Sequence, residues 1–155
     1  MKIHLVSVGT RMSAWVEEGF AEYAKRLPRE CRLLLVEVPA VKRAEKSNVE
    51  KILQEEGKRL LAVIPKGAYA IALDRLGNEW DTLTLSAQLK KWLAGGCDVA
   101  LLVGGPEGLS AEVLQASRER WSLSRLTYPH PLVRVVLAEQ LYRAHSLLKG
   151  LPYHR

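Results

Sequence analysis

The sequence predicts an α/β fold, a mainly parallel sheet with helices on both faces. Three observations carry this. Short apolar runs alternate with stretches whose apolar residues recur at helical spacing, in the order βαβαβαβαβα. One run, Val99-Ala100-Leu101-Leu102-Val103, is unbroken and sits between turn signals, Gly95-Gly96 before it and Gly104-Gly105-Pro106 after it, as a strand buried on both faces requires. The chain has 155 residues, 48% hydrophobic and 26% charged, the balance of one globular domain spanning 1–155.

Each element has its own justification. Ile3 to Val8, ended by Gly9, reads as the first strand. Ser13 is placed to cap a helix whose apolar face is Val16, Gly19, Phe20, Tyr23 and Leu27, with Pro28 as its stop. Leu33 to Val38, closed by Pro39, is the second strand. A polar, cationic connection from Lys42 to Asn48 leads to a helix marked by Val49, Ile52, Leu53, Leu60, Leu61 and Ile64 and halted at Pro65-Lys66-Gly67. Ala68 to Leu73 is the third strand, ending at Asp74, and Leu85, Leu89, Trp92 and Leu93 mark the third helix. After the central run, Ser110 caps a helix through Glu119, and Trp121-Ser122-Leu123 is a last short strand. The final helix runs from Leu132 to Leu148 on a stripe of Val133, Val136, Leu137, Leu141, Ala144 and Leu148. Ligands of such sheets sit beyond the carboxyl ends of the strands, which singles out the stretches after Leu73, after Val103 and from Ser122 to Pro131.

Several classes lose support at once. The apolar runs are too short to span a bilayer, and Met1 to Leu5 opens no signal peptide, so a cytoplasmic protein without a membrane partner is expected. Cys31 and Cys97 form no CxxC pair and are expected as reduced thiols, one or both buried. The histidines at 4, 130, 145 and 154 lack ligand spacing, so no metal is expected. No GxGxxG, GxxxxGK[ST] or GxSxG occurs. A net charge of +6 suits a polyanionic partner, although many basic proteins bind no nucleic acid.

Four segments stand out chemically. In Gly104-Gly105-Pro106-Glu107-Gly108, glycines at a strand end let the backbone approach a ligand, and Glu107 adds a charge or an acceptor; a plain tight turn fits equally well. In Ser122 to Pro131, prolines flank His130, which excludes a regular helix or central strand; Leu123, Leu126 and Tyr128 suggest that it is packed, leaving main-chain groups to hold a ring edge. A rigid connector with His130 in solvent is the alternative. Glu139 and Arg143 have helix ion-pair spacing, while Arg134, Gln140 and Tyr142 lie off the apolar stripe, free to face a partner subunit. The closing Pro152-Tyr153-His154-Arg155 is either a frayed end or a ring to stack on a base, an imidazole to move a proton and a guanidinium to grip phosphate.

Together, Val8-Gly9-Thr10, GGPEGL from Gly104 to Leu109, the stretch from Leu123 to Ala144 and the closing PYHR resemble the RlmH family, the smallest SPOUT methyltransferases, over essentially the whole chain. The resemblance implies a C-terminal trefoil knot, which no topology rule would suggest. It also implies S-adenosylmethionine as methyl donor, bound bent in a pocket made by the knot. Leu73 and Asp74 would line it from one loop, Gly104, Gly105 and Gly108 from a second, and Ser124, Arg125, Leu126, Thr127, Tyr128 and Pro129 from a third. Arg125 and Tyr128 stand where side chains vary, which matters little if the backbone makes those contacts. The resemblance further implies a homodimer whose site is completed across the interface, acting on N3 of a pseudouridine in 23S ribosomal RNA of the assembled ribosome. His154 is then the candidate to take the N3 proton. Arg155 or Arg143 would hold the developing anion or a phosphate, Tyr153 would orient the base, and Glu139 would fix Arg143. Competing expectations are a SPOUT enzyme acting on tRNA, a non-catalytic RNA-binding or ribosome-assembly factor, and a nucleotide enzyme of Rossmann type, the last disfavoured by its missing fingerprint.

Overall fold

The structure, a computed structural model, describes residues 1–44 and 46–154, with only the backbone of 154. Five strands, β1 (Lys2–Val8), β2 (Arg32–Val38), β3 (Tyr69–Glu79), β4 (Val99–Val103) and β5 (Glu119–Ser122), form one parallel sheet in the order β2-β1-β4-β3-β5. The helices are α1 (Ala14–Ala24), α2 (Val49–Ala62), α3 (Thr82–Gly95), α4 (Ala111–Ala116) and α5 (His130–Leu148), with 3-10 turns at Arg29–Cys31 and Pro152–His154. The alternation of strand and helix is the one the sequence predicts.

Strand periodicity divides the core. Val99, Leu101 and Val103 of β4 join Ile3, Leu5 and Ile71 against α1, α3 and α5. Ala100 and Leu102 point the other way, with Val6 and Val8, against Leu60 of α2 and Val113 of α4. Both faces of β4 are therefore buried, and each buried Leu or Val contributes roughly 1.5–3 kcal/mol. Asn48, Asp81 and Ser110 cap their helices through side-chain bonds to the main-chain N–H of Glu50, Thr84 and Val113. Ser13 precedes α1 without such a bond, and its carbonyl accepts from Val16 and Glu17 instead. Cys31 is buried and Cys97 exposed, neither in a disulfide.

Four expectations need correction. β3 does not end at Asp74: it leaves the ladder after Leu73, makes an excursion through Asp74-Arg75-Leu76-Gly77, and rejoins β5 at Asn78. Gly77 permits this, since a Cβ there would lie 2.6 Å from the backbone of Arg120. The helix after Ser110 stops at Ala116, and β5 starts two residues earlier than expected. α5 starts at His130, because a proline at the first turn of a helix loses no bond it would otherwise make. Arg134 does not face outward: only 1% exposed, it donates to Glu37 Oε2 and to the Gly9 carbonyl, both at 2.8 Å. That pair fastens α5 to the carboxyl ends of β1 and β2.

The path after β5 shapes the functional end of the molecule. β5 is an edge strand, yet His130 packs at Gly9, just beyond β1, with its Cε1 3.2 Å from where a Cβ on that glycine would stand. Residues 123–129 therefore cross back over the carboxyl ends of β3 and β4.

Candidate active site

That crossing closes a cleft. Its walls are Leu73, Asp74 and Arg75 at the end of β3, Val103 at the end of β4, Trp121 and Ser122 of β5, Leu123, Ser124, Leu126, Thr127 and Tyr128 of the crossing segment, and Val133 of α5. The lining is mostly apolar, with peptide groups supplied by a segment that belongs to neither sheet nor helix, the composition that holds a flat heterocycle by its faces and its edge. Ser124 has an internal task, since its Oγ accepts from the Leu126 N–H at 3.0 Å and its carbonyl accepts from Ser122 Oγ at 3.1 Å. The side chain of Leu126 stands at the mouth, 71% exposed.

Of the residues singled out from the sequence, Leu73, Asp74, Ser124, Leu126, Thr127 and Tyr128 line this cleft. Arg125 points away from it, 91% exposed, with its Nε 3.1 Å from Glu79. Gly104, Gly105 and Gly108 lie beside the cleft in the turn that follows β4. There Gly105 and Gly108 form an isolated bridge, and a Cβ on Gly104 would stand 2.2 Å from the Gly108 carbonyl oxygen. Gly108 has φ +83°, a left-handed conformation. Glu107, 3.7 Å from Arg43, shares that cation with the buried Glu56, whose Oε1 lies 3.3 Å from it. His130 is half-buried rather than in solvent. Burial, then the nearby Arg134 and Arg43 guanidiniums, push its pKa down, so it is neutral near pH 7.

Sequence reasoning missed Val103, Trp121 and Val133 as lining residues, and had Leu123 only as a packed residue of the segment from Ser122 to Pro131. Their apolar character and their place at the ends of elements were visible, but only the sheet order brings those ends together.

The other candidate residues gather elsewhere. Gly150, at φ +68°, ends α5, and the Leu151 N–H reaches back to the Ser146 carbonyl at 2.9 Å, which sends the chain end alongside the helix. The Tyr153 phenol then donates to Glu139 Oε1 at 3.0 Å, and Arg143 donates to the same oxygen through Nε at 3.0 Å and Nη2 at 2.5 Å. The Arg143 guanidinium lies 5.2 Å from the centre of the Tyr153 ring. Burial, followed by the Glu139 carboxylate, pushes the Tyr153 phenol up to about 12. Gln140 Nε2 contacts Glu139 Oε2 at 2.5 Å. The His154 side chain and Arg155 lie outside the described residues. Counted from Val133 in the cleft, Glu139 lies about 9 Å and Arg143 about 15 Å along the α5 axis at 1.5 Å per residue. A single subunit therefore assembles the tail cluster and the cleft as two separate places.

Comparison with known proteins addresses the whole chain. Residues 1–154 match the family described as "predicted SPOUT methyltransferase". A protein of Thioalkalivibrio sulfidiphilus named ribosomal RNA large subunit methyltransferase H is 55% identical over 155 residues, covering 100% of this chain and 99% of its own. Proteins of the same name from Methylococcus capsulatus and Hydrogenovibrio crunogenus are 53% and 52% identical, again over 155 residues, with 100% of this chain and 100% and 99% of theirs covered.

Proposed function

The chain belongs to the SPOUT methyltransferase family, alongside relatives named ribosomal RNA large subunit methyltransferase H. From that premise we propose that it transfers a methyl group from S-adenosylmethionine to N3 of a pseudouridine in 23S ribosomal RNA, acting on the assembled ribosome. One observation carries the assignment to this end of the molecule: a cleft at the carboxyl ends of β3, β4 and β5, roofed by the irregular segment 123–129 and flanked by a glycine turn.

The cleft residues fit the methyl donor. Leu73, Val103, Leu126 and Val133 offer apolar surface for a purine, and the peptide groups of 123–129 meet its edge. The turn at Gly104 and Gly105 flanks the cleft and is closed on itself, with the Gly108 carbonyl where a Cβ on Gly104 would stand, so what it offers a ligand is its backbone. When bound, S-adenosylmethionine supplies a sulfonium-activated methyl group, so the protein's remaining work is positioning and proton removal. In this reading the chain from β4 onward is threaded as a trefoil knot, and 123–129 is its third loop. Two copies form a homodimer, so that the tail cluster of one reaches the cleft of the other. The separation of cleft and tail along α5 and the exposed Leu76 and Leu126 beside the cleft support this.

The chemistry then divides among named groups. N3 of pseudouridine bears a proton that must leave as the N–CH3 bond forms. His154 takes it. Arg143 or Arg155 holds the negative charge or a neighbouring phosphate, and Tyr153 orients the base. Glu139, bonded to both Arg143 and Tyr153, keeps the pair in register. Pseudouridine differs from uridine by an N1–H donor, so a site with an acceptor for it disfavours uridine.

The deciding measurement is transfer of labelled methyl to ribosomes lacking this modification, with free RNA alongside, mapped by nuclease digestion and mass spectrometry. Label at one pseudouridine, mainly in ribosomes, is the expected result. Cofactor binding without transfer to either substrate would redirect the assignment to tRNA. Failure to bind cofactor would make the protein a non-catalytic RNA-binding factor. His154→Ala should lower turnover and leave cofactor affinity intact; full activity in that variant would remove His154 as the base.

A further inference from the structure

The tail cluster rests on α1, and the contact is specific. At the end of α1, Glu22 Oε1 holds Arg26 Nη2 at 2.6 Å, and Glu22 Oε2 holds Lys25 Nζ at 2.7 Å. The Arg26 guanidinium carbon lies 5.3 Å from the centre of the Tyr23 ring and 5.5 Å from that of Tyr142 on α5. Tyr142 in turn packs against Tyr153 edge-to-face, with ring centroids 4.6 Å apart and planes at 63°. The Tyr153 ring also meets Arg143, and its hydroxyl meets Glu139.

We propose that Arg26, held by Glu22 and wedged between Tyr23 and Tyr142, is a positioning residue for methyl transfer: it fixes the Tyr142 ring against which Tyr153 docks. It thereby fixes the Tyr153 ring at the base of the proposed catalytic tail. This rests on the reading that the C-terminal residues act on the substrate base. An exposed helix surface gains little from arginine–tyrosine stacking, and a tail bonded only to Glu139 retains rotation about its ring axis. The Tyr142 edge contact removes that rotation, and Arg26 holds Tyr142. Arg26 lies just past a helix that does not line the cleft, so it acts through the tail and not through the cofactor.

The test uses the full-length dimer and modification-free ribosomes. Arg26→Ala should lower kcat about tenfold while KM for ribosomes and the Kd for S-adenosylmethionine stay within about twofold, because orientation is lost and binding is not. Arg26→Lys should restore part of the rate, since an ammonium retains the cation–π contact without the planar stack. Carboxypeptidase should release Arg155 faster from Arg26→Ala than from the parent protein, a change that a merely structural role elsewhere on α1 would not produce. Thermal unfolding checks that both variants are folded. A chain truncated after Leu151 separates the two ideas: if it keeps full activity, the catalytic tail and the positioning role both fall. If truncation abolishes turnover while Arg26→Ala and Arg26→Lys retain the parent kcat and tail protection, the tail stands and the role of Arg26 is refuted.

Discussion

Gly104→Ala and Gly105→Ala, one residue apart, should perturb the glycine turn in different ways. At Gly104 the added Cβ would lie 2.2 Å from the Gly108 carbonyl oxygen and 2.5 Å from its carbon. Both are backbone atoms of a turn closed by the Gly105–Gly108 bridge, so no side chain can rotate away. Regaining ordinary contact at 3.4 Å means parting the two arms by about 1.2 Å, which breaks the bridge. Strain of this kind costs about 1–3 kcal/mol. For a domain of this size that lowers Tm by roughly 3–10 °C. At Gly105 an added Cβ would meet Val8 at 3.4 Å and Arg43 and Glu56 at 3.5 Å, ordinary contact distances, and φ is not in the left-handed region. Gly105→Ala should therefore melt within about 2 °C of the parent. The methyl group would stand on the Val8, Arg43 and Glu56 side of the turn, so it weakens binding only if the ligand reaches that side, and then by about 1–3 kcal/mol, or roughly 5- to 150-fold in Kd. Calorimetric titration with S-adenosylhomocysteine and a thermal melt read both effects. Parent-like affinity in a normally folded Gly105→Ala would show that the ligand does not reach the Val8, Arg43 and Glu56 side of the turn. A parent-like Tm in Gly104→Ala would refute the tight closure of the turn.

Other perturbations bear on the frame around the site. Arg134→Ala strips the Gly9 carbonyl and Glu37 of a buried donor and should cost about 2–4 kcal/mol in urea unfolding; a loss under 1 kcal/mol would mean that this link between α5, β1 and β2 is dispensable. The His145 imidazole is buried, neither ring nitrogen has a partner among the described residues, and burial pushes its pKa down. A depressed histidine contributes stability that is complete above its ordinary value of 6.5 and lost as pH falls through the lower folded value. Unfolding free energy should thus decline from pH 7 toward pH 5, and His145→Phe should flatten that slope; an unchanged slope would locate the acid sensitivity elsewhere. Burial pushes the Cys31 thiol up to about 11, so at pH 8 an aromatic disulfide reagent should label one thiol per native chain, Cys97, and two after denaturation. Two fast thiols in the native protein would contradict the packing of Cys31.

Much of this molecule was legible in its amino-acid order because periodicity is a local property. The apolar-rich run of β1, the unbroken run of β4 and the stripes of α1, α2, α3 and α5 each report which elements are buried and where. The crossing segment and the glycine turn were legible too, since prolines and glycines constrain the backbone wherever they occur. The long motifs pointed to a methyltransferase before any coordinate did. What tertiary structure alone decided depends on contacts between distant residues. The excursion at Asp74 to Gly77 looks like the end of a strand, and only β5 on the far side draws β3 back into the ladder. Arg134 reads as a surface residue beside the apolar stripe of α5, and it is buried because Glu37 and the Gly9 carbonyl, 97 and 125 positions away, compensate its charge. The sheet order β2-β1-β4-β3-β5 assembles the cleft from segments that no local pattern connects. The turn at Gly150 likewise lays Tyr153 beside Glu139 and leaves the tail cluster one and a half to three helical turns from the cleft, since the rise of α5 fixes how far apart residues on it must be.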